Sequence, residues 1–221
     1  MSPLRRAALA CLTGSVLAAT DAQARPVSYP EAWTVQTSNE AERNAALAHY
    51  TIDPRWAVGL RVEDRTYEDH VFVGVQSNRL LKRWNAPDSQ ANLYLKLGAG
   101  AARGAFLGEE TETRPGGFVR VAADWEDRRA FVSGALGATA VSGMWMREAS
   151  ARVGVAPYVA EFGALHTWLM VQADYRPDAP EARGAETLTV TPLVRLFKGP
   201  VLVEAGWSTN DEPLLGLTYR F

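Results

Sequence analysis

The chain has 221 residues, a nearly balanced charge of 23 Lys and Arg against 25 Asp and Glu, and one cysteine, Cys11. Its length suits a single domain, its charge argues against a dedicated nucleic-acid binder, and one cysteine excludes a disulfide framework. After Ala24 no run of about eighteen apolar residues occurs, so a helical membrane protein is excluded too, although hydrophobic residues make up 47% of the sequence.

Arg5 and Arg6 precede an apolar run from Ala7 to Ala19, and Ala22-Gln23-Ala24 follows as a small-x-small pattern. This order of basic, apolar and small residues predicts a secretory signal peptide over 1–24, with the folded domain over 25–221. Cys11 falls in the removed part, which leaves an exported chain without thiol chemistry.

From Ala32 onward, extended stretches alternate apolar and polar residues, and no amphipathic helix is apparent. Trp56, Val58, Leu60 and Val62 share a face opposite Arg61 and Glu63, and Leu93, Leu95 and Leu97 oppose Asn92, Tyr94 and Lys96. Val119, Val121, Ala123 and Trp125 oppose Arg120, Asp124 and Glu126; Val153, Val155, Pro157 and Val159 oppose Arg152, Gly154 and Tyr158. Thr167, Leu169, Val171, Ala173 and Tyr175 oppose Gln172 and Asp174, Val190, Pro192 and Val194 oppose Thr191 and Arg195, and Val201, Val203, Ala205 and Trp207 oppose Glu204. A period of two is the signature of a strand with one apolar face.

Short connections at Asp53-Pro54-Arg55, Asn85 to Gln90, Asp127-Arg128, Glu161 to Ala164 and Lys198-Gly199-Pro200 alternate with longer polar ones. The longer set is Ser38 to Asn44, Asp64 to Asp69, Arg103 to Gly116, Ser142 to Ala149, Pro177 to Ala185 and Ser208 to Pro213. Regular alternation of this kind predicts an all-β, closed antiparallel transmembrane β-barrel of about twelve strands, an even number that returns both termini to one side. The first strand, Glu31 to Thr37, is brief, so ten strands with an N-terminal segment in the lumen is the alternative.

The last eight residues, Leu214 to Phe221, carry Leu215, Leu217, Tyr219 and Phe221 on one face and Gly216, Thr218 and Arg220 on the other. This ending resembles that of bacterial outer-membrane β-barrels, whose last strand commonly finishes on Phe after alternating apolar residues. The resemblance implies placement in the outer membrane, contact with its lipid and lipopolysaccharide, and delivery by the barrel assembly machinery through Phe221. The stretches Ala123 to Arg128, Ala151 to Tyr158 and Thr191 to Phe197 are also similar to an uncharacterised group of proteobacterial envelope proteins, a likeness that implies no activity.

With apolar faces toward lipid, Arg61, Glu63, Lys96, Arg120, Asp124, Glu126, Arg152, Asp174, Arg195, Glu204 and Arg220 line the lumen. Both signs occur in similar numbers, and two readings stand: a narrow channel for small polar or anionic solutes lined by arginine, or ion pairs that fill a closed, structural lumen. Trp33, Trp56, Trp84, Trp125 and Trp168 fall near the short connections with Tyr219 and Phe221, and Trp207 near the opposite end, as interface aromatics would. Met144, Met146, His49, His70 and His166 are the candidate soft metal ligands, at spacings that favour no metal site. His70 with Ser208 or Ser142 is the one candidate pair for lipid-modifying chemistry, and without a local motif the reading is of no catalytic residues and no cofactor. A closed barrel predicts faster migration on an unheated detergent gel than after boiling, and identical migration of the two samples would count against it.

Overall fold

The computed structural model describes residues 29–40, 43–105, 110–141, 143–180 and 184–221; the signal-peptide reading therefore lies outside the described residues, as does Ser142. Twelve strands follow in chain order among the described residues: β1 Trp33–Glu40, β2 Arg43–Asp53, β3 Trp56–Arg65, β4 His70–Asn85, β5 Ser89–Gly104 and β6 Glu112–Asp127. They continue with β7 Ala130–Val141, β8 Met144–Val155, β9 His166–Tyr175, β10 Leu188–Lys198, β11 Val201–Trp207 and β12 Pro213–Arg220. Each pairs antiparallel with its sequence neighbours, and β1 pairs with β12, so the sheet is a closed barrel without a free edge. Twelve strands, rather than ten around a lumenal segment, is the architecture.

Closure is made by Thr34 opposite Arg220 through Asn39 opposite Leu215. It is sealed at the terminal end by Trp33 N–H to Phe221 O at 2.8 Å and Phe221 N–H to Trp33 O at 3.0 Å. A membrane leaves backbone groups no water to bond, so only a sheet without edges can cross it. The outward rows supply the matching surface: Leu60, Val73, Val75, Leu136, Val153, Leu169, Val203 and Leu217 are all exposed large hydrophobics.

The strands run further than the sequence suggested. β4, β5 and β6 have 16 residues each, well over the roughly 9–11 that cross a bilayer, and β8 starts at Met144 inside what reads as a polar loop from Ser142 to Ala149. The reason is visible in the alternation, which continues there: Trp145 and Arg147 are exposed while Met146 is buried. At the terminal end the opposite happens. Strand β8 stops at Val155, before Pro157, and a ten-residue connection over 156–165 replaces the short turn expected at Glu161 to Ala164. Two bulges, at Thr51/Asp53 and Leu80/Lys82, interrupt the register. The second resets the phase of β4, so that even-numbered residues face inward up to Leu80 and odd ones beyond it, leaving Trp84 outside and Arg83 bonded inside to Asn92.

The inward faces are more apolar than the polar residues alone implied. Phe131, Trp168, Met170, Leu193, Phe197, Leu202 and Leu214 form one buried cluster on β7 and β9 to β12. Phe72, Ala102, Val141 and Met146, with Phe118 and Met144 against them, form a second toward the far end, and Ala57, Leu80 and Tyr94 a third. At Gly98 any side chain would collide with the Phe118 ring, so glycine there is what lets that ring lie across the wall. Trp168 is a correction: it is 7% exposed, packed edge-to-face on Phe131 at 6.3 Å, not at the membrane interface. It shares its parity with Met170 and Gln172, and parity decides the face whatever the height along the strand. Trp168→Ala should therefore cost about 3–5 kcal/mol, the range for deleting a buried aromatic, in urea unfolding of the vesicle-bound protein; a change within about 0.5 kcal/mol, as for a surface site, would return it to the outside.

Candidate functional site in the charged lumen

Between the apolar clusters lies a layer of ionic side chains, and its centre is a residue that reads as a loop in the sequence. Glu148 of β8 takes Arg43 Nη1 of β2 at 3.0 Å and Arg65 Nη2 of β3 at 3.7 Å, and also pairs with Arg120 of β6. In a ring of twelve strands β2 and β8 are six apart, hence opposite, so the Arg43 to Glu148 pair spans the lumen. Arg43 also reaches Glu40 at 3.0 Å, which Arg176 approaches at 3.7 Å. Glu63 joins from β3: Arg65 Nε donates to it at 2.7 Å, and Arg61 pairs with its other oxygen.

A second group sits on the other wall. Arg152 and Arg195 both donate to Glu204 Oε1 at 2.7 Å, and Arg152 also bonds the Gln172 carbonyl, whose amide donates to Asp174 at 2.6 Å. Arg195 lies 5.0 Å over the Phe131 ring and Arg61 5.6 Å over Phe118, so each charge layer is seated on an apolar cluster. Asn92 donates to Asp124 at 2.7 Å, and Lys96 stands opposite Arg120 in the register between β5 and β6. Glu126 is buried on the same inward row, and Arg220 is opposite Thr34 at the closing seam.

All eleven lumenal candidates thus lie on inward-facing rows, though in separate groups rather than one ring. Sequence reading missed Glu40, Arg43, Arg65 and Glu148 because each fell in a presumed loop, and Arg176 because it follows the last residue read as strand. The signal that could have found Glu148 was its parity with Ser150 and Arg152. Of the aromatics, Trp33, Trp56, Trp84, Trp125, Trp207, Tyr219 and Phe221 are exposed on the outer surface.

The alternative chemistries are dispersed. His49 is fully buried opposite Thr34, His70 Nδ1 lies 3.5 Å from Glu68 O, and His166 stacks on Phe197 at 4.3 Å. Met144 and Met146 face the Phe72 cluster, and Ser208 Oγ accepts the Glu212 N–H at 3.2 Å. Among the described residues no three His, Cys, Asp or Glu side chains are grouped to hold a metal ion.

Side chains of the connections at the far mouth also bond to one another. Tyr67 donates to Glu212 across the opening at 3.3 Å with Gly184 beside its ring, and Ala185 is buried beneath. Arg147 clasps Asp178 through Nε at 2.9 Å, Nη2 at 2.7 Å and its backbone N–H at 2.8 Å, bonds that bring the Asp178 carboxyl down to about 2. Small pockets lie among these side chains, lined by Glu40, Arg43, Arg120, Glu148, Asp174 and Arg176 with hydroxyl side chains. Glu148→Ala removes a shared carboxylate from three arginines, of which Arg43 keeps Glu40 and Arg65 keeps Glu63, and should cost about 3–5 kcal/mol, as loss of one partner from a buried ionic group does, measured by urea unfolding in vesicles; Asp178→Ala, facing a largely exposed Arg147, should leave the midpoint nearly unchanged.

No protein-family model matches the chain, and no curated protein matches it. Solved structures similar to it are bacterial barrels. The KdgM porin is 9% identical, with 86% of this chain and 98% of that one covered at a TM-score of 0.46. LpxR from Salmonella typhimurium is 9% identical over 86% and 99%, at 0.47. A loop-deletion form of OmpT, an outer membrane protein of Vibrio cholerae, is 12% identical over 86% and 97%, at 0.29. At such identity a shared chemistry does not follow.

Proposed function

We propose that this outer-membrane β-barrel is a closed-lumen structural protein of the envelope, with both termini in the periplasm, and not a solute channel. The single observation that carries this reading is the Arg43 to Glu148 pair at 3.0 Å, which ties opposite walls together across the lumen. Supporting it, the ionic chain runs from Arg61 through Glu63, Arg65 and Glu148 to Arg43, Glu40 and Arg176, while apolar clusters fill the space on either side.

A channel for anions needs cations that are free to exchange one anion for the next. Here the arginines at the centre are held by carboxylates of the protein, and the charges were costly to bring out of water. Their geometry makes them a scaffold that spaces the walls, and the outward face does the work of residing in lipid.

Planar-bilayer recording of the full-length barrel tests the proposal. Conductance indistinguishable from the protein-free bilayer is expected, and so is none from Trp207→Phe, an exterior change. Reproducible single-channel steps from the native protein would overturn it.

A further inference from the structure

The connection over 156–165 is unlike the other turns at its end of the barrel. Pro54-Arg55, Arg128-Arg129 and Gly199-Pro200 each join strands with two residues. Here ten residues, Ala156 to Leu165, carry a single charge, Glu161, and present Tyr158, Val159, Phe162 and Leu165 to the exterior. Phe162 is 82% exposed, the most exposed large hydrophobic of the described residues.

The loop is built rather than loose. Tyr158 Oη donates to Leu165 O at 2.9 Å and lies 2.9 Å from Thr167 Oγ1, and Ala164 N–H closes a turn on Glu161 O at 3.1 Å with Gly163 at φ +77°. Ala156 N–H is held by Arg129 O at 2.8 Å. Thr167 belongs to the outward row of β9, in phase with Leu169 and Val171, so the Tyr158 bond draws the loop toward the lipid side of the wall and away from the lumen mouth.

The same segment covers a gap in the sheet. The register between β8 and β9 runs only from Ala149 opposite Tyr175 to Val155 opposite Leu169, so His166, Thr167 and Trp168 have β10 on one side and no β8 strand on the other. Backbone without a strand partner is tolerated at headgroup depth, where water and polar lipid groups reach it, and not in hydrocarbon.

We infer that the 156–165 loop is a membrane-interface anchor that lays Phe162, Val159 and Leu165 into the lipid leaflet at the terminal end, beside the β8 to β9 seam. Its apolar surface is continuous with the lipid-facing row of Val153, Val155, Leu169 and Val171, each exposed on the outer wall. It stands at the level of the exposed aromatics Trp33, Trp125 and Phe221, where rings favour the boundary between chains and headgroups. A segment with apolar side chains along one side and few charges is suited to that boundary.

The test is site-directed spin labelling of the full chain refolded into phosphatidylcholine vesicles. Cys11→Ser removes the native cysteine, and Phe162→Cys or, as a second position that survives failure of the first, Val159→Cys receives the nitroxide. Labels at Leu169→Cys and Asn210→Cys calibrate lipid and water. At 162 and 159 collisions with dissolved oxygen should exceed those with a water-soluble nickel chelate, by a ratio near that at 169 and several-fold above that at 210. A ratio matching position 210 would overturn the anchor in favour of a solvated loop. Low collision rates with both reagents would also overturn it, by showing the loop covered by protein, a second copy included.

Discussion

Everything in this molecule depends on the hydrogen-bonded seam between its first and last strands. A sheet of eleven interior pairings would still leave two rows of amide and carbonyl groups facing hydrocarbon, each costing several kcal/mol by general estimates. The seam removes both rows at once, and it sets the number of strands, hence the circumference into which all inward side chains must fit. Trp33 and Phe221 exchange backbone bonds at its end, so the terminal residue is a structural closure as well as part of the exposed aromatic band.

Once the circumference is set, the interior has to be filled, because empty space in a barrel of this size would be either water or void. The chain fills it in two chemistries. Apolar clusters of Phe131 with Trp168 and of Phe72 with Phe118 take part of the volume, and the ionic layer takes the remainder. Glu148 shows why these layers are stable together: its two oxygens serve three guanidinium groups from three strands, and guanidinium planes rest on the aromatic rings beneath. Planar, weakly hydrated cations suit this position better than ammonium groups would.

The outer surface follows a simpler logic, with one departure. Where the wall is complete, the outward rows are apolar and the turns at the terminal end are two or three residues long. Where β8 ends early at Pro157, the chain leaves the wall, and the residues it carries are as apolar as the rows it has left. Proline lacks the donor a further ladder bond needs, so the break in the sheet and the start of the loop have one cause.

Reading along the chain was enough to predict the inward or outward parity of most strand positions and the closure of the strands in even number. These follow from a period of two and from the order of connections, both local properties that need no knowledge of partners. Glu148, Arg43 and Arg65 escaped because a charged stretch looks like a loop when judged by composition, although the alternation through Trp145, Met146 and Arg147 continued. Trp168 was misplaced for the opposite reason, since its height suggested an interface while its parity put it inside. Which inward residues meet was decided by the folded barrel alone: Arg43 and Glu148 are 105 positions apart, and only strand count and stagger, which no single strand encodes, bring opposite walls into contact.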